Sequence, residues 1–131
     1  MGASEVRVLL DTAVLIFAVE APERLSKRAT NVLKNPDNIR ELSCVSLTEI
    51  AVKVSLGKLG FSDSTVHQAI DDMDIRVLPF SAEHAFKMFE LPMHHRDPFD
   101  RQLIAQALCE DIAIVTPDRK FGLYKGTRII W

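Results

Sequence analysis

Short runs that are apolar on both faces, each followed by a longer helical pattern, constrain this chain more than any other feature. A strand with one wet face alternates apolar and polar residues, whereas a continuously apolar strand must be covered on both sides. Val6 to Leu10 (VRVLL) is the first such run. Helical stretches follow from Thr12 to about Glu20 and from Glu23 to Lys34, with Asn35-Pro36-Asp37-Asn38 as a turn. Ile39 to Val45 reads as a second strand, Leu47 to Leu56 as a helix ended by Gly57, and Ser64 to Met73 as another helix. Ile75 to Leu78 is a third strand, stopped by Pro79. Ser81 caps a helix carrying Ala82, Ala85, Phe86 and Phe89, and Pro92 breaks it. Phe99, Leu103, Ile104, Ala107 and Leu108 form the stripe of the next helix, and Ile112 to Val115 and Thr127 to Trp131 are the last two strands. Strands and helices in alternation predict an α/β fold, a three-layer α/β/α sandwich with a central parallel sheet. No linker or repeat divides residues 1–131, so a single domain is expected.

Composition narrows the function. Hydrophobic residues at 47% and charged residues at 26% supply a core and exclude a disordered chain. Sixteen basic against 18 acidic residues exclude a uniformly basic nucleic-acid binder, although a basic rim around an acidic centre would cancel in that sum. No apolar run approaches the roughly 18 residues of a membrane span. The opening MGASEV carries no signal-peptide core, and Cys44 and Cys109 lie in apolar segments. They read as buried free thiols, and the expected setting is the cytoplasm.

Parallel α/β sheets place their ligand site at the carboxyl ends of the strands. Asp11 directly follows the first strand, Ser46 to Glu49 open the helix after the second, and Asp118 lies two residues past the fourth. The helix starting near Pro98 runs back to feed the fourth strand, so Asp97 and Asp100 lie at that same edge. Each acid also has a structural reading. Asp11 could cap its helix, Ser46-Leu47-Thr48-Glu49 has the pattern of a capping box, and Glu49 could pair with Lys53. Asp97-Pro98 suits an N-cap followed by proline, and Asp118 suits a turn. Two observations favour a site. Asp100 is in register with Leu103, Ile104 and Ala107, and Glu49 sits in LTEIAVKVSL, a segment apolar nearly all round. Inward carboxylates are costly without a positive partner, and several of them together repel. A bound Mg²⁺ or Mn²⁺ with oxygen ligands answers both problems. Such a site suits phosphoryl chemistry. Five glycines, with Gly57-Lys58-Leu59-Gly60 ending a helix, leave no phosphate-binding loop.

The segments LLDTAVLI, SLTEIAVKVSLGKL, LPMHHRDPFDRQLIAQA and IVTPDRKFGLYKGTRIIW resemble the PIN-domain family, and within it the VapC-type toxin ribonucleases of toxin–antitoxin pairs. The resemblance spans nearly the whole chain. It implies Asp11, Glu49, Asp100 and Asp118 as metal-binding and catalytic acids, with Asp97 as a candidate fifth. It further implies Mg²⁺- or Mn²⁺-dependent cleavage of single-stranded RNA, a homodimer, and a small antitoxin as partner. Relatives often carry a polar residue where this chain has Ala13, which removes a contact near the first acid but no ligand.

Arg96, Arg101, Arg119 and Lys120 flank the acids and are candidates for RNA phosphates. His94 and His95 with Asp97 could suggest zinc, but adjacent histidines rarely reach one metal, so a solvent or hydrogen-bonding role is expected. Asp71, Asp72 and Asp74 read as a solvated turn, and the apolar face of LIFAVEA as core. A phospho-acceptor domain would need paired acids after the first strand and an acceptor after the third, where this chain has Asp11 alone and Leu78-Pro79. A non-toxin nuclease, or a PIN-like scaffold that binds RNA or an antitoxin without cutting, remains as the alternative.

Overall fold

The computed structural model describes residues 6–131; the expectation drawn from residues 1–5 lies outside them. Five strands form one parallel sheet: β1 (Val6–Leu10), β2 (Asn38–Ser43), β3 (Ile75–Leu78), β4 (Ala113–Val115) and β5 (Ile129–Ile130), in the order β3-β2-β1-β4-β5. Six α-helices connect them among the described residues: α1 (Thr12–Glu20), α2 (Lys27–Lys34), α3 (Cys44–Ser55), α4 (Asp63–Asp72), α5 (Ala82–Lys87) and α6 (Pro98–Glu110).

The apolar strands are covered on both faces as their pattern demands. Val8 and Leu10 of β1 pack with Val14, Leu15, Leu33, Ile50 and Ala69 from the first four helices. Leu9, pointing the other way, packs with Leu103, Ile104 and Ala107 of α6 and with Phe121 and Tyr124. These two cores make the three layers, and the expected sandwich with its parallel sheet is observed. The apolar face of α1 is core, with Val14 and Leu15 fully buried. Asp71 and Asp72 are exposed, as is Asp74, so the solvated turn stands.

Three local expectations are corrected. β2 ends at Ser43 instead of running to Val45, because the Ser43 hydroxyl accepts the Val45 N–H at 2.9 Å and starts α3 there. Consequently Ser46 is already helical, and no capping box forms between it and Glu49. The single helix expected over Glu23–Lys34 is a short 3-10 turn, Pro22–Arg24, followed by α2, whose start is set by the Ser26 hydroxyl accepting from Ala29 N–H. Cys44 and Cys109 are free but only partly buried, and the Cys109 thiol lies 3.8 Å from Glu83 O of α5.

Two features aim the site. Leu10 is in register with both Leu42 and Val115, so β1, β2 and β4 end side by side. At the far end of α6, Asp111 adopts a left-handed conformation (φ 54°), and Ile112 N–H bonds to Ala107 O at 3.1 Å. That closure turns the chain from α6 into β4 and sends the helix start back to the strands' carboxyl edge.

Candidate functional site

Asp11 follows β1 with its backbone N–H tied to Val115 O at 3.0 Å. Its side chain makes no cap hydrogen bond of full geometry to α1, although the Ala13 N–H lies close enough to favour its charged form. Instead Oδ2 accepts a 2.7 Å hydrogen bond from the Thr116 hydroxyl, and the residue is 6% exposed. Thr116 in turn accepts the Asp118 N–H at 3.0 Å, so one buried hydroxyl fixes the positions of two acids. Neighbouring it, the Thr12 hydroxyl donates to Ser46 Oγ at 2.8 Å, which locks the start of α1 against α3. Glu49, one turn further along α3, is buried. Its Oε2 meets Lys53 Nζ at 3.0 Å, as the helical spacing suggests, while Oε1 is buried with no hydrogen-bond partner.

Asp97 and Asp100 sit three residues apart and do different things. Asp97 is the N-cap of α6, with Oδ1 accepting from Phe99 N–H (2.8 Å) and Asp100 N–H (3.3 Å). Proline at the next position suits that first turn, where no N–H is needed. Asp100 caps nothing and faces the other acids. Asp118 has both roles: Oδ1 accepts the Lys120 N–H at 2.9 Å to start the 3-10 turn Arg119–Leu123, and Oδ2 faces the cluster.

Crowding shows in the protonation of two of these groups. Burial pushes the Asp100 carboxyl up to about 8, and the charges of Asp11, Asp97, Glu49 and Asp118 push it the same way. Burial likewise raises Asp11 to about 6, against the hydrogen bond from Thr116 and with the charge of Glu49. Asp100 and Asp118, together with His95, bring donor atoms within 4.8 Å of one another, a grouping that leaves out Asp11 and Glu49. Glu49 adds a buried carboxylate oxygen with no partner. Oxygen donors of this kind suit a hard divalent cation.

His95 was not expected here. Its Nε2 lies 2.9 Å from Asp118 Oδ2 and 3.0 Å from Asp100 Oδ2. The expectation of a hydrogen-bonding role over a paired-histidine zinc site holds, since His94 is exposed and packs its ring edge on Tyr124 instead. Nothing in the HHRDP segment alone tells which histidine turns inward. Thr116 was missed as well, although a hydroxyl residue directly after an apolar strand at the carboxyl edge is a usable signal.

Of the flanking cations, Arg96, Arg119 and Lys120 are exposed around the acids. Arg101 is not available in that way. Its guanidinium donates to Pro92 O (2.9 Å), Leu91 O (3.4 Å) and the Tyr124 hydroxyl (3.2 Å), so its role is to hold the loop before α6 and the RNA-contact expectation for it is set aside.

The PIN domain family model matches residues 8–126. The chain belongs to the PIN-domain family. Its fold is similar to a chain of VapBC2 from Rickettsia felis bound to a DNA fragment from their promoter, with 20% identity, a TM-score of 0.72, and 95% of this chain and 97% of that one covered. It is similar too to a chain of DNA-bound VapBC from Salmonella typhimurium (17% identity, TM-score 0.68, 95% and 96% covered). A third is FitAcB from Neisseria gonorrhoeae (16%, 0.63, 93% and 95%). No curated protein matches the sequence. At these identities the solved structures establish a shared fold, and no helix among the described residues is long and apolar enough to cross a membrane.

Proposed function

We propose that this PIN domain is a Mg²⁺- or Mn²⁺-dependent endoribonuclease that hydrolyses single-stranded RNA as the toxin of a toxin–antitoxin pair. The observation that carries the reading is the set of Asp11, Glu49, Asp100 and Asp118 at one rim, where burial raises Asp11 to about 6 and Asp100 to about 8 and one buried Glu49 oxygen is unpartnered. Those four residues would hold the cation. When bound, it supplies charge stabilisation at the scissile phosphate and a more acidic water.

The chain's own residues do the rest. Thr116 keeps Asp11 and Asp118 in register across the ends of β1 and β4. Asp97 belongs to the scaffold, fixing the first turn of α6 so that Asp100 faces inward. Arg96, Arg119 and Lys120, exposed beside the rim, would take the phosphates on either side of the cut, offsetting the acidic centre that would otherwise repel RNA. Similarity to chains from VapBC complexes supports the resemblance to VapC-type toxins and an antitoxin partner; a homodimer and a cytoplasmic setting rest on the sequence resemblance alone. The direct test is cleavage of single-stranded RNA by the purified chain with Mg²⁺ or Mn²⁺, with excess EDTA, and after metal is restored. Loss in EDTA with recovery on Mn²⁺ is expected; undiminished cleavage in EDTA would refute the reading.

A further inference from the structure

His95 touches two acids of the rim, and its ring has two nitrogens that can be told apart. Nδ1 accepts the backbone N–H of Asp97 at 3.2 Å. A nitrogen that accepts a hydrogen bond carries no proton, so the neutral ring bears its hydrogen on Nε2. Nε2 is the atom 2.9 Å from Asp118 Oδ2 and 3.0 Å from Asp100 Oδ2. The ring therefore presents an N–H to the carboxylates.

Geometry also offers the opposite arrangement. His95, Asp100 and Asp118 each bring a potential donor atom within 4.8 Å of the others, the spacing of a three-ligand metal site. Ligation through Nε2 needs a free lone pair there, and a metal-bound histidine ordinarily donates its other N–H to an acceptor. Here the Nδ1 side faces a donor, the Asp97 N–H, so the tautomer is the wrong one for a ligand.

The ring has little freedom to change this. The His95 backbone N–H donates to the Tyr124 hydroxyl at 2.8 Å, and the ring stands edge-on to Phe121 with centroids 5.8 Å apart. Phe121 and Tyr124 are themselves almost fully buried, and Arg101 donates to the same Tyr124 hydroxyl. Meanwhile Asp118 and Asp100 arrive from unconnected segments and repel each other. A carboxylate oxygen has two lone pairs, so an N–H can hold it from one side and leave the other for a cation.

We propose that His95 is a positioning residue for metal capture: its Nε2–H holds Asp118, and with it Asp100, in place for the cation as a hydrogen-bond donor and not as a ligand. This rests on the reading of the rim as a metal site. The role assigned to the Arg101 side chain follows from it, since that residue steadies the aromatic wall behind the ring.

The test is calorimetric titration of Mg²⁺ and Mn²⁺ into wild type, His95→Ala and His95→Gln, with melting temperatures in EDTA to establish that each is folded. A glutamine amide reaches the position of Nε2 with a donor. Loss of an outer-shell donor typically weakens a metal about 10-fold or more, so His95→Ala is expected to bind at least about 10-fold more weakly, with His95→Gln within about threefold of wild type. Alongside, ¹⁵N spectra of the wild-type ring before and after Mg²⁺ are expected to show Nε2 protonated and Nδ1 bare in both states. Wild-type affinity in His95→Ala overturns the proposal, as does a switch to an Nδ1–H ring on adding Mg²⁺. If His95→Ala does not fold, His95→Gln and the ring spectra decide. Failure of the wild type itself to bind either ion overturns the metal-site reading, and is seen without any variant.

Discussion

Replacing Asp100 by asparagine is expected to stabilise the metal-free protein, and to do so increasingly as pH rises. The folded carboxyl sits at about 8 against an ordinary value of 3.8. Because the folded value lies above the unfolded one, the folded state holds its proton more tightly. The associated stability is complete below the unfolded value and is lost as pH rises towards and through 8. Between pH 5 and pH 8.5 these two values set a ceiling of about 4 kcal/mol on the loss, which solvent screening of this partly exposed group lowers to roughly half. Asparagine carries no charge and keeps an oxygen that can accept from His95, so the variant escapes that loss. With a urea slope of about 2 kcal/mol/M for a chain of this size, the gap between the two midpoints should widen by about 1 M over that interval. The assay is urea unfolding of wild type and Asp100→Asn in EDTA at both pH values. Using the variant as the reference removes the contribution of the titrating groups that do not interact with Asp100, so the widening reports the coupled set of rim acids. A variant less stable than wild type at both pH values, with no widening, would show that Asp100 stabilises the fold and that the rim is not under electrostatic stress.

Three further outcomes follow from the same geometry. Asp97→Asn should retain the α6 cap, whereas Asp97→Ala should lose about 1 kcal/mol in thermal or urea unfolding, since alanine offers the Phe99 and Asp100 N–H groups no acceptor. Thr116→Val should leave the protein folded but weaken Mg²⁺ binding by about 10-fold in calorimetry, because the bridge from Asp11 to Asp118 is cut. Metal must displace protons from carboxyls at about 6 and about 8, so Mg²⁺ affinity should rise from pH 6 to pH 8 and binding near pH 7 should release protons, as titrations in buffers of different ionisation enthalpy would show.

The parts of this molecule legible in its sequence are those decided by local pattern and by sheet geometry. VRVLL could only be a covered strand, and Asp100 on the stripe of Leu103, Ile104 and Ala107 could only face inward. Asp11 and Asp118 followed from lying just past strands of a parallel sheet. What the sequence concealed depended on partners far along the chain. Ser43 and Ser46 are equally good caps for α3, and the choice is made by Thr12, which takes Ser46 into a buried hydrogen bond across 34 positions. Arg101 looked like a rim cation until its acceptors, Leu91, Pro92 and Tyr124, closed around it. Which of His94 and His95 enters the site is settled by Tyr124, 29 residues on, which fixes the His95 backbone. A pair of identical neighbours carries no information about which one turns inward.

The central claim is that these acids act through a bound cation to cut RNA, with Asp100 as a ligand and Asp97 as scaffold. Single-turnover cleavage of a single-stranded RNA, followed across a Mn²⁺ titration for wild type, Asp97→Asn and Asp100→Asn, tests it most directly. Asp97→Asn is expected to keep most of the wild-type rate, because asparagine caps α6 as well as aspartate does. Asp100→Asn should lose cleavage by orders of magnitude and need more metal, because an amide lacks the charge the cation requires. Full activity in Asp100→Asn at saturating Mn²⁺, or equal loss in both variants, would contradict the account.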